Sequence, residues 1–173
     1  TRFLRWASDR LDKNGIIAFV SNNSFIEART LDGLRKVVGE EFNEIYVIDL
    51  KGDAYSSGQQ RQREAGNVFN NAIRVGVAVY FLVRKEGVEN CRIHYNAVQD
   101  FASAEGKLAY LRDNSLADLP FQLIRPDKHH TWINLAENAW DDLLPVATKE
   151  TKVTKIVTRP DVIFKFFSLG VST

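Results

Sequence analysis

An α/β fold is what this sequence predicts, and three observations predict it. Short apolar runs rich in branched side chains, at 16–20, 45–50 and 73–83, have the composition of strands buried on both faces. Amphipathic stretches of helical period stand before the first run and between the first two. Polar or aromatic residues cluster where apolar runs end or begin, at 21–24 and 67–69, and open α/β sheets bind their ligands at such ends.

Composition sets the bounds. The 173 residues suffice for one domain with a core, or for a domain and a piece of its neighbour; 45% are hydrophobic, with 11 Phe and 3 Trp, so apolar surface for burial is ample. A formal net charge of +1 means that any nucleic-acid surface is a local basic patch offset elsewhere. The single Cys91 excludes an internal disulfide and a cysteine zinc site, and fits a reducing, cytoplasmic setting. The apolar run at 75–83 is about half of what spans a bilayer, and the N-terminus lacks the basic-then-apolar layout of a signal peptide. The chain contains no Met and starts with Thr, so it is expected to be an excerpt of a longer polypeptide.

The elements follow in order. Phe3, Leu4, Ala7 and Leu11 mark one face of a helix at 2–13, which Asn14-Gly15 ends. The strand at 16–20 is expected inside a parallel sheet. Ser24 and Glu27 fit a capping box at the start of a helix whose stripe is Leu31, Leu34, Val37, Val38 and Phe42. With the strand at 45–50 this makes a right-handed strand–helix–strand crossover. The stretch 51–66 has three glycines and no aliphatic residue larger than Ala, and reads as a long mobile loop. The run at 73–83, with Gly76 as a bulge or close-approach site, and the alternating 91–95 flank turn-forming residues, which predicts a terminal antiparallel hairpin closing the sheet edge. Beyond about Gln99, short helical pieces at 104–112 and 136–144 alternate with Pro120, Pro126 and Pro145. The expected division is therefore an α/β domain at 1–98, followed at 99–173 by a linker and a mixed, mainly helical start of another module.

Candidate site residues lie at the strand ends. The amides of Asn22 and Asn23 and the hydroxyl of Ser24 donate to and accept from a base or phosphate, and the same residues also suit a helix cap. Phe69, in Asn67-Val-Phe, is placed to stack on an unstacked base, a contact worth roughly 1–3 kcal/mol, or else to fill the core. Lys51, Arg61 and Arg63 suit phosphate contacts, or simply solvate a loop. His129-His130 lacks ligand spacing, so no metal site is expected, and Asp141-Asp142 after Trp140 reads as a helix's solvent face. No phosphate-binding loop, dinucleotide fingerprint or nucleophile elbow occurs.

The order of these segments carries a resemblance. Gly15-Ile-Ile-Ala-Phe-Val followed by Ser-Asn-Asn-Ser-Phe, a helix ending in Val-Val-Gly-Glu-Glu-Phe, then Glu-Ile-Tyr-Val-Ile-Asp-Leu-Lys-Gly, Asn-Val-Phe and Val-Gly-Val-Ala-Val-Tyr-Phe-Leu-Val-Arg resemble the second half of the catalytic domain of amino-methylating, adenine-specific DNA methyltransferases. The likeness is greatest to those in large single-chain restriction–modification enzymes. It spans about 1–84, and the tail at 163–173 resembles a segment that follows the core in the same enzymes.

The resemblance implies a partial Rossmann-like methyltransferase sheet and a flipped adenine whose exocyclic amine attacks the methyl group of S-adenosylmethionine. Phe69 then packs against the flipped base, and Asn22, Asn23 and Ser24 line the neighbouring crevice. Implied partners are double-stranded DNA and the remainder of the polypeptide, with its cofactor-binding half and the helicase and nuclease regions such enzymes carry. The glycine-containing cofactor loop and the Asn/Asp-Pro-Pro-Tyr/Phe motif are expected before Thr1. No catalytic residue is therefore assigned here, and S-adenosylmethionine is expected on the intact enzyme, not on this fragment. The alternative from the residues alone is a non-catalytic α/β module that binds nucleic acid or a nucleotide.

Overall fold

The computed structural model describes residues 2–69, 72–133, 143–147 and 162–163. Its elements are α1 (Arg2–Ser8), β1 (Gly15–Asn22), α2 (Ser24–Glu27), a 3-10 turn (Arg29–Leu31), α3 (Asp32–Glu41), β2 (Glu44–Asp49), α4 (Gly58–Glu64), β3 (Val77–Arg84), β4 (Arg92–Ala97), α5 (Ala104–Asp113) and β5 (Gln122–Ile124). The expected α/β class is present as a mixed five-stranded sheet in the order β1-β3-β2-β4-β5.

The three apolar runs do become strands, and each lies close to its expected position. Direction is where expectation and structure part. β3 runs antiparallel to both β1 and β2 and lies between them, so β1 and β2 are parallel but not neighbours. β4 pairs parallel with the far side of β2, and β5 pairs antiparallel with β4. The expected hairpin between the 73–83 and 91–95 runs does not form, because β3 uses both its edges on β1 and β2. β1, expected inside a parallel sheet, pairs only with the antiparallel β3, and its Ile16 and Val20 are 64% and 54% exposed.

Getting from β3 to β4 means crossing the start of β2, and Asn43 organises that crossing. Its N–H donates to the Val83 carbonyl (2.9 Å) and its carbonyl accepts from Arg92 N (2.8 Å). Its side-chain oxygen accepts from Lys85 N (2.5 Å), and its amide nitrogen donates to the Val88 carbonyl. One residue thus satisfies the polar backbone of a connection that makes no ladder of its own.

Each sheet face has a core. Alternation along the strands puts Ile17, Ile45, Val47, Tyr80, Leu82 and Ile93 on one face, buried against Ile26, Val38, Phe42 and Trp132. Phe25 sets its ring edge-on to both Tyr80 (5.0 Å) and Trp132 (5.1 Å). The α3 residue Arg35 is buried in this layer. Its guanidinium donates to the carbonyls of His130 (2.6 Å), Ala28 (2.9 Å) and Phe25 (3.1 Å), tying α2 to the segment that carries Trp132. The opposite face buries Ile48, Leu50, Val77, Val98 and Leu119, with Tyr110 and Leu111 of α5 packed against them.

The compact unit runs from Thr1 to Leu135, past the expected division at residue 98, since α5 and β5 belong to it. In the second unit, Ala136–Thr173, the Ile163 N–H donates to the Pro145 carbonyl at 3.0 Å. The helix expected at 136–144, the pair Asp141-Asp142 and most of the 163–173 tail lie outside the described residues. The helix expected over 2–13 stops at Ser8, and the stretch read as a mobile loop contains α4. No helix of the described residues is long and apolar enough to cross a membrane.

Asn43→Ala removes two side-chain hydrogen bonds at the β3–β4 crossing. The expected loss is about 1–2 kcal/mol, with faster amide exchange confined to the 85–91 connection. Unchanged exchange there shows that the crossing holds without Asn43.

Candidate functional site

The site begins with the sheet register. Asn22 at the end of β1 pairs with Val77 at the start of β3, and Asp49 at the end of β2 pairs with Ala78. Two parallel strands therefore finish on either side of the point where the antiparallel one begins, and side chains from three segments meet there.

Asn23 is the hinge between β1 and α2. It occupies the position before the first helical residue, in the right-handed helical region, but its side chain does not cap the helix. Its N–H donates to the Gly76 carbonyl (2.8 Å), and its carboxamide Nδ2 donates to Asp49 Oδ1 (3.2 Å). A Cβ on Gly76 would lie 2.4–2.6 Å from that carboxamide, so glycine is the residue that lets the two segments touch. The expected capping box is absent: Ser24 is itself the first helical residue, and its hydroxyl donates to Asn22 Oδ1 (2.6 Å). Asn22 and Ser24 are exposed, whereas Asn23 is half-buried. The Asn22 carbonyl accepts from the Tyr80 hydroxyl (2.9 Å), which fixes the end of β1 against β3.

Asp49 is a buried carboxyl of the site. Its Oδ1 accepts from Asn23 Nδ2 and from Lys51 N (2.9 Å), and its Oδ2 accepts from the Tyr95 hydroxyl (3.0 Å). Burial pushes its carboxyl up from the ordinary aspartate value, against the lowering effect of those three donors. Burial likewise pushes the Tyr95 hydroxyl up.

Residues 50–76 form an excursion between β2 and β3 that is zipped at its base. Leu50 N donates to Val77 O (2.8 Å), Val77 N to Lys51 O (2.9 Å) and Ala54 N to Arg74 O (2.7 Å). Higher up, the buried Asn67 works as a clamp: its Nδ2 donates to the carbonyls of Val75 (2.8 Å) and Gly52 (3.3 Å), and its Oδ1 accepts from Phe69 N (3.0 Å). From α5, the buried Lys107 donates to the carbonyls of Glu64 (2.7 Å) and Gly66 (2.6 Å). Desolvation lowers the pKa of that ammonium. A stretch expected to be a mobile loop is thus tied at its base, middle and tip-side limb.

The expected site residues fall into two groups. Asn22, Asn23 and Ser24 end β1, Phe69 stands 52% exposed on the excursion, and the two are joined through consecutive residues: Asn67 holds Val75, and Asn23 holds Gly76. Of the basic residues, Lys51 pairs with Asp100, and Arg63 lies 3.7 Å from the same carboxylate, which is lowered by the Lys51 hydrogen bond. Arg61 instead lines a cavity of about 320 Å³ together with Gly52, Ala54, Asn67, Ile73 and Arg74. Sequence reading missed Asp49, Tyr95, Asn67, Lys107 and Arg74. Asn67 had a signal, since it stands two residues before Phe69; a lysine on a helix and an aspartate ending a strand had none. No group of three or more His, Cys, Asp or Glu among the described residues is arranged to hold a metal.

No family model matches the sequence, and no curated protein matches it. Solved structures do. The chain is similar to part of DrdV in a DrdV–DNA complex determined by cryoEM, with 52% identity over 98% of this chain and 17% of that one, at a TM-score of 0.86. It is also similar to part of a nuclease-deletion mutant of the Type ISP restriction-modification enzyme LlaGI in complex with a DNA substrate mimic, with 35% identity over 85% of this chain and 14% of that one, at a TM-score of 0.79. A third likeness is to the ATP-dependent Type ISP restriction-modification enzyme LlaBIII bound to DNA, with 33% identity over 94% of this chain and 11% of that one, at a TM-score of 0.81. The chain thus spans between 11% and 17% of the length of these proteins. Identity at this level over most of the chain supports a region of a restriction–modification enzyme.

The two oxygens of Asp49 separate charge from geometry. In Asp49→Asn the side-chain oxygen can keep Asn23 and Lys51 N while the new amide faces Tyr95, whose hydroxyl can turn to accept. Because the folded pKa of Asp49 is raised, its contribution to stability is fully present below the unfolded value and is lost as pH rises through the folded value. Asp49→Asn is therefore expected to be as stable as the parent near pH 3 and more stable at pH 7. Asp49→Ala, which strands the Asn23 amide and the Tyr95 hydroxyl, is expected to lose about 2 kcal/mol. Thermal melting of all three proteins between pH 3 and pH 7 checks both statements, and equal pH profiles for parent and Asp49→Asn contradict the first.

Proposed function

We propose that this chain forms the target-base side of an S-adenosylmethionine-dependent, adenine-specific DNA methyltransferase within a restriction–modification enzyme. On this reading double-stranded DNA is its partner, and its sheet is the second part of a Rossmann-like methyltransferase domain. Asn22, Asn23 and Ser24 form one wall of the crevice for a flipped adenine, and Phe69 forms the other. Lys51, Arg61 and Arg63 stand on the side of the DNA backbone.

One observation carries the reading. Phe69 stands 52% exposed beside the Asn67 clamp, and the same excursion is bonded through Gly76 to Asn23 at the end of β1, in a chain 52% identical to part of a protein solved with DNA. An exposed aromatic and an exposed amide on segments bonded to each other suit the stacking and edge-bonding of an unstacked base. The structural work at this wall is done by the buried Asn67 and by the Asn23–Asp49 bond, which leaves Phe69, Asn22 and Ser24 exposed for a ligand.

The residues described do not fit the methyl donor. The cavity of the excursion is lined by Arg61 and Arg74 and suits an anion, whereas the reacting end of S-adenosylmethionine is a cationic sulfonium. No step through the cofactor is derived for these residues. Their task on this reading is to receive, stack and orient the base, and methyl transfer belongs to the intact enzyme.

In the intact enzyme, Phe69→Ala is expected to lower kcat/KM for methylation roughly tenfold or more, the loss of one stacking contact. Stability should change by less than about 0.5 kcal/mol, as for a surface substitution. Methyl-incorporation kinetics beside a melting curve make the comparison. Parallel loss of stability and activity would return Phe69 to the core.

A further inference from the structure

The cavity of the excursion brings together two arginines, Arg61 and Arg74. Arg61 comes from the last turn of α4, where its Nη1 donates to the Ala65 carbonyl at 2.8 Å, and Arg74 comes from the returning limb of the excursion. Neither guanidinium makes an ion pair among the described residues. Of the carboxylates in this part of the chain, Asp100 pairs with Lys51, while Glu64 accepts from Asp53 N (3.0 Å) and Gln60 Nε2 (2.8 Å) and Asp53 accepts from Tyr55 N (2.9 Å). Arg61 and Arg74 bring two positive side chains to one cavity of about 320 Å³, and an anion with several oxygens offers acceptors to both donor forks.

The cavity's position says which anion. Asn67 lines it, and the Oδ1 of the same Asn67 accepts from Phe69 N, so whatever fills the cavity sits next to the clamp that presents the aromatic platform. Tyr55, 71% exposed, follows directly on the cavity residue Ala54. Basic residues on a cavity, with exposed aromatics one or two residues along the chain from its lining, are a combination suited to gripping a strand's backbone and stacking its bases.

We propose that Arg61 and Arg74 form a phosphodiester subsite that holds one backbone phosphate of the DNA strand whose base enters the crevice. The subsite rests on the DNA reading above but is separable from it by experiment. Arg61 supplies a guanidinium set by the end of α4, and Arg74 closes on the phosphate from the opposite limb. The clamped Asn67 transmits the phosphate's position to Phe69.

The test uses the 173-residue chain and a fluorescein-labelled DNA duplex, with binding measured across a series of salt concentrations. The slope of log K against log salt is expected to become shallower by about 0.9 in the Arg61→Ala/Arg74→Ala double variant, the change for one lost phosphate contact. Arg74→Lys, which keeps the charge, is expected to retain the slope. Arg112→Ala, at an exposed α5 residue paired with Asp113, is expected to match the parent. Melting curves confirm that each variant is folded, and Arg74→Lys tests the charge without removing the side chain. A double variant with the parent slope overturns the subsite and leaves the DNA reading standing. If the parent binds no duplex, titration with inorganic phosphate decides: binding lost in the double variant keeps the subsite and overturns the DNA reading, and no binding by the parent overturns both.

Discussion

Everything at the site depends on β3 bonding β1 on one edge and β2 on the other. An antiparallel strand between two parallel ones begins where they finish, so the ends of β1 and β2 and the approach to β3 share one end of the sheet. The approach is constrained in turn. Leu50, Lys51 and Val77 continue the pairing beyond the strands, and the polar backbone farther out is met by the side chains of Asn67 and Lys107. A different neighbour for β3 would send the excursion, and Phe69 with it, to another part of the molecule.

Strand positions were legible in the sequence because runs such as Ile16-Ile17 and Val77 onward are too apolar and branched to lie anywhere but in a sheet. Strand direction was not, since a run buried on both faces has no alternation to report which neighbour it takes. The hairpin expectation followed from a short connection, and short connections usually join adjacent strands. Here Asn43 lets the chain step across β2 instead. The capping box failed for a related reason: Ser24 and Glu27 had the right spacing, but Asn23 was already drawn inward to Asp49, which shifted the helix start by one residue.

The candidate site was legible at its exposed positions and hidden at its buried ones. Asn22 and Ser24 are legible as polar residues at the end of an apolar run, and Phe69 as an aromatic shortly before one. Asp49 and Lys107 are not, because a buried polar side chain and a solvated one look alike in sequence and differ only in what the fold brings to them. These hidden residues and Asn67 fix backbone, whereas Asn22, Ser24 and Phe69 stay exposed.

The outer edge of β1 carries a further consequence. Among the described strands it pairs only with β3, and its exposed Ile16 and Val20 flank Ala18 in an eight-residue strand without Pro or charge. A flat apolar strand with an open row of backbone donors and acceptors is a template for recruiting another strand. Among the described strands β1 is thus one of two sheet edges, with β5 at the other, and the more apolar of the places where a further strand can add.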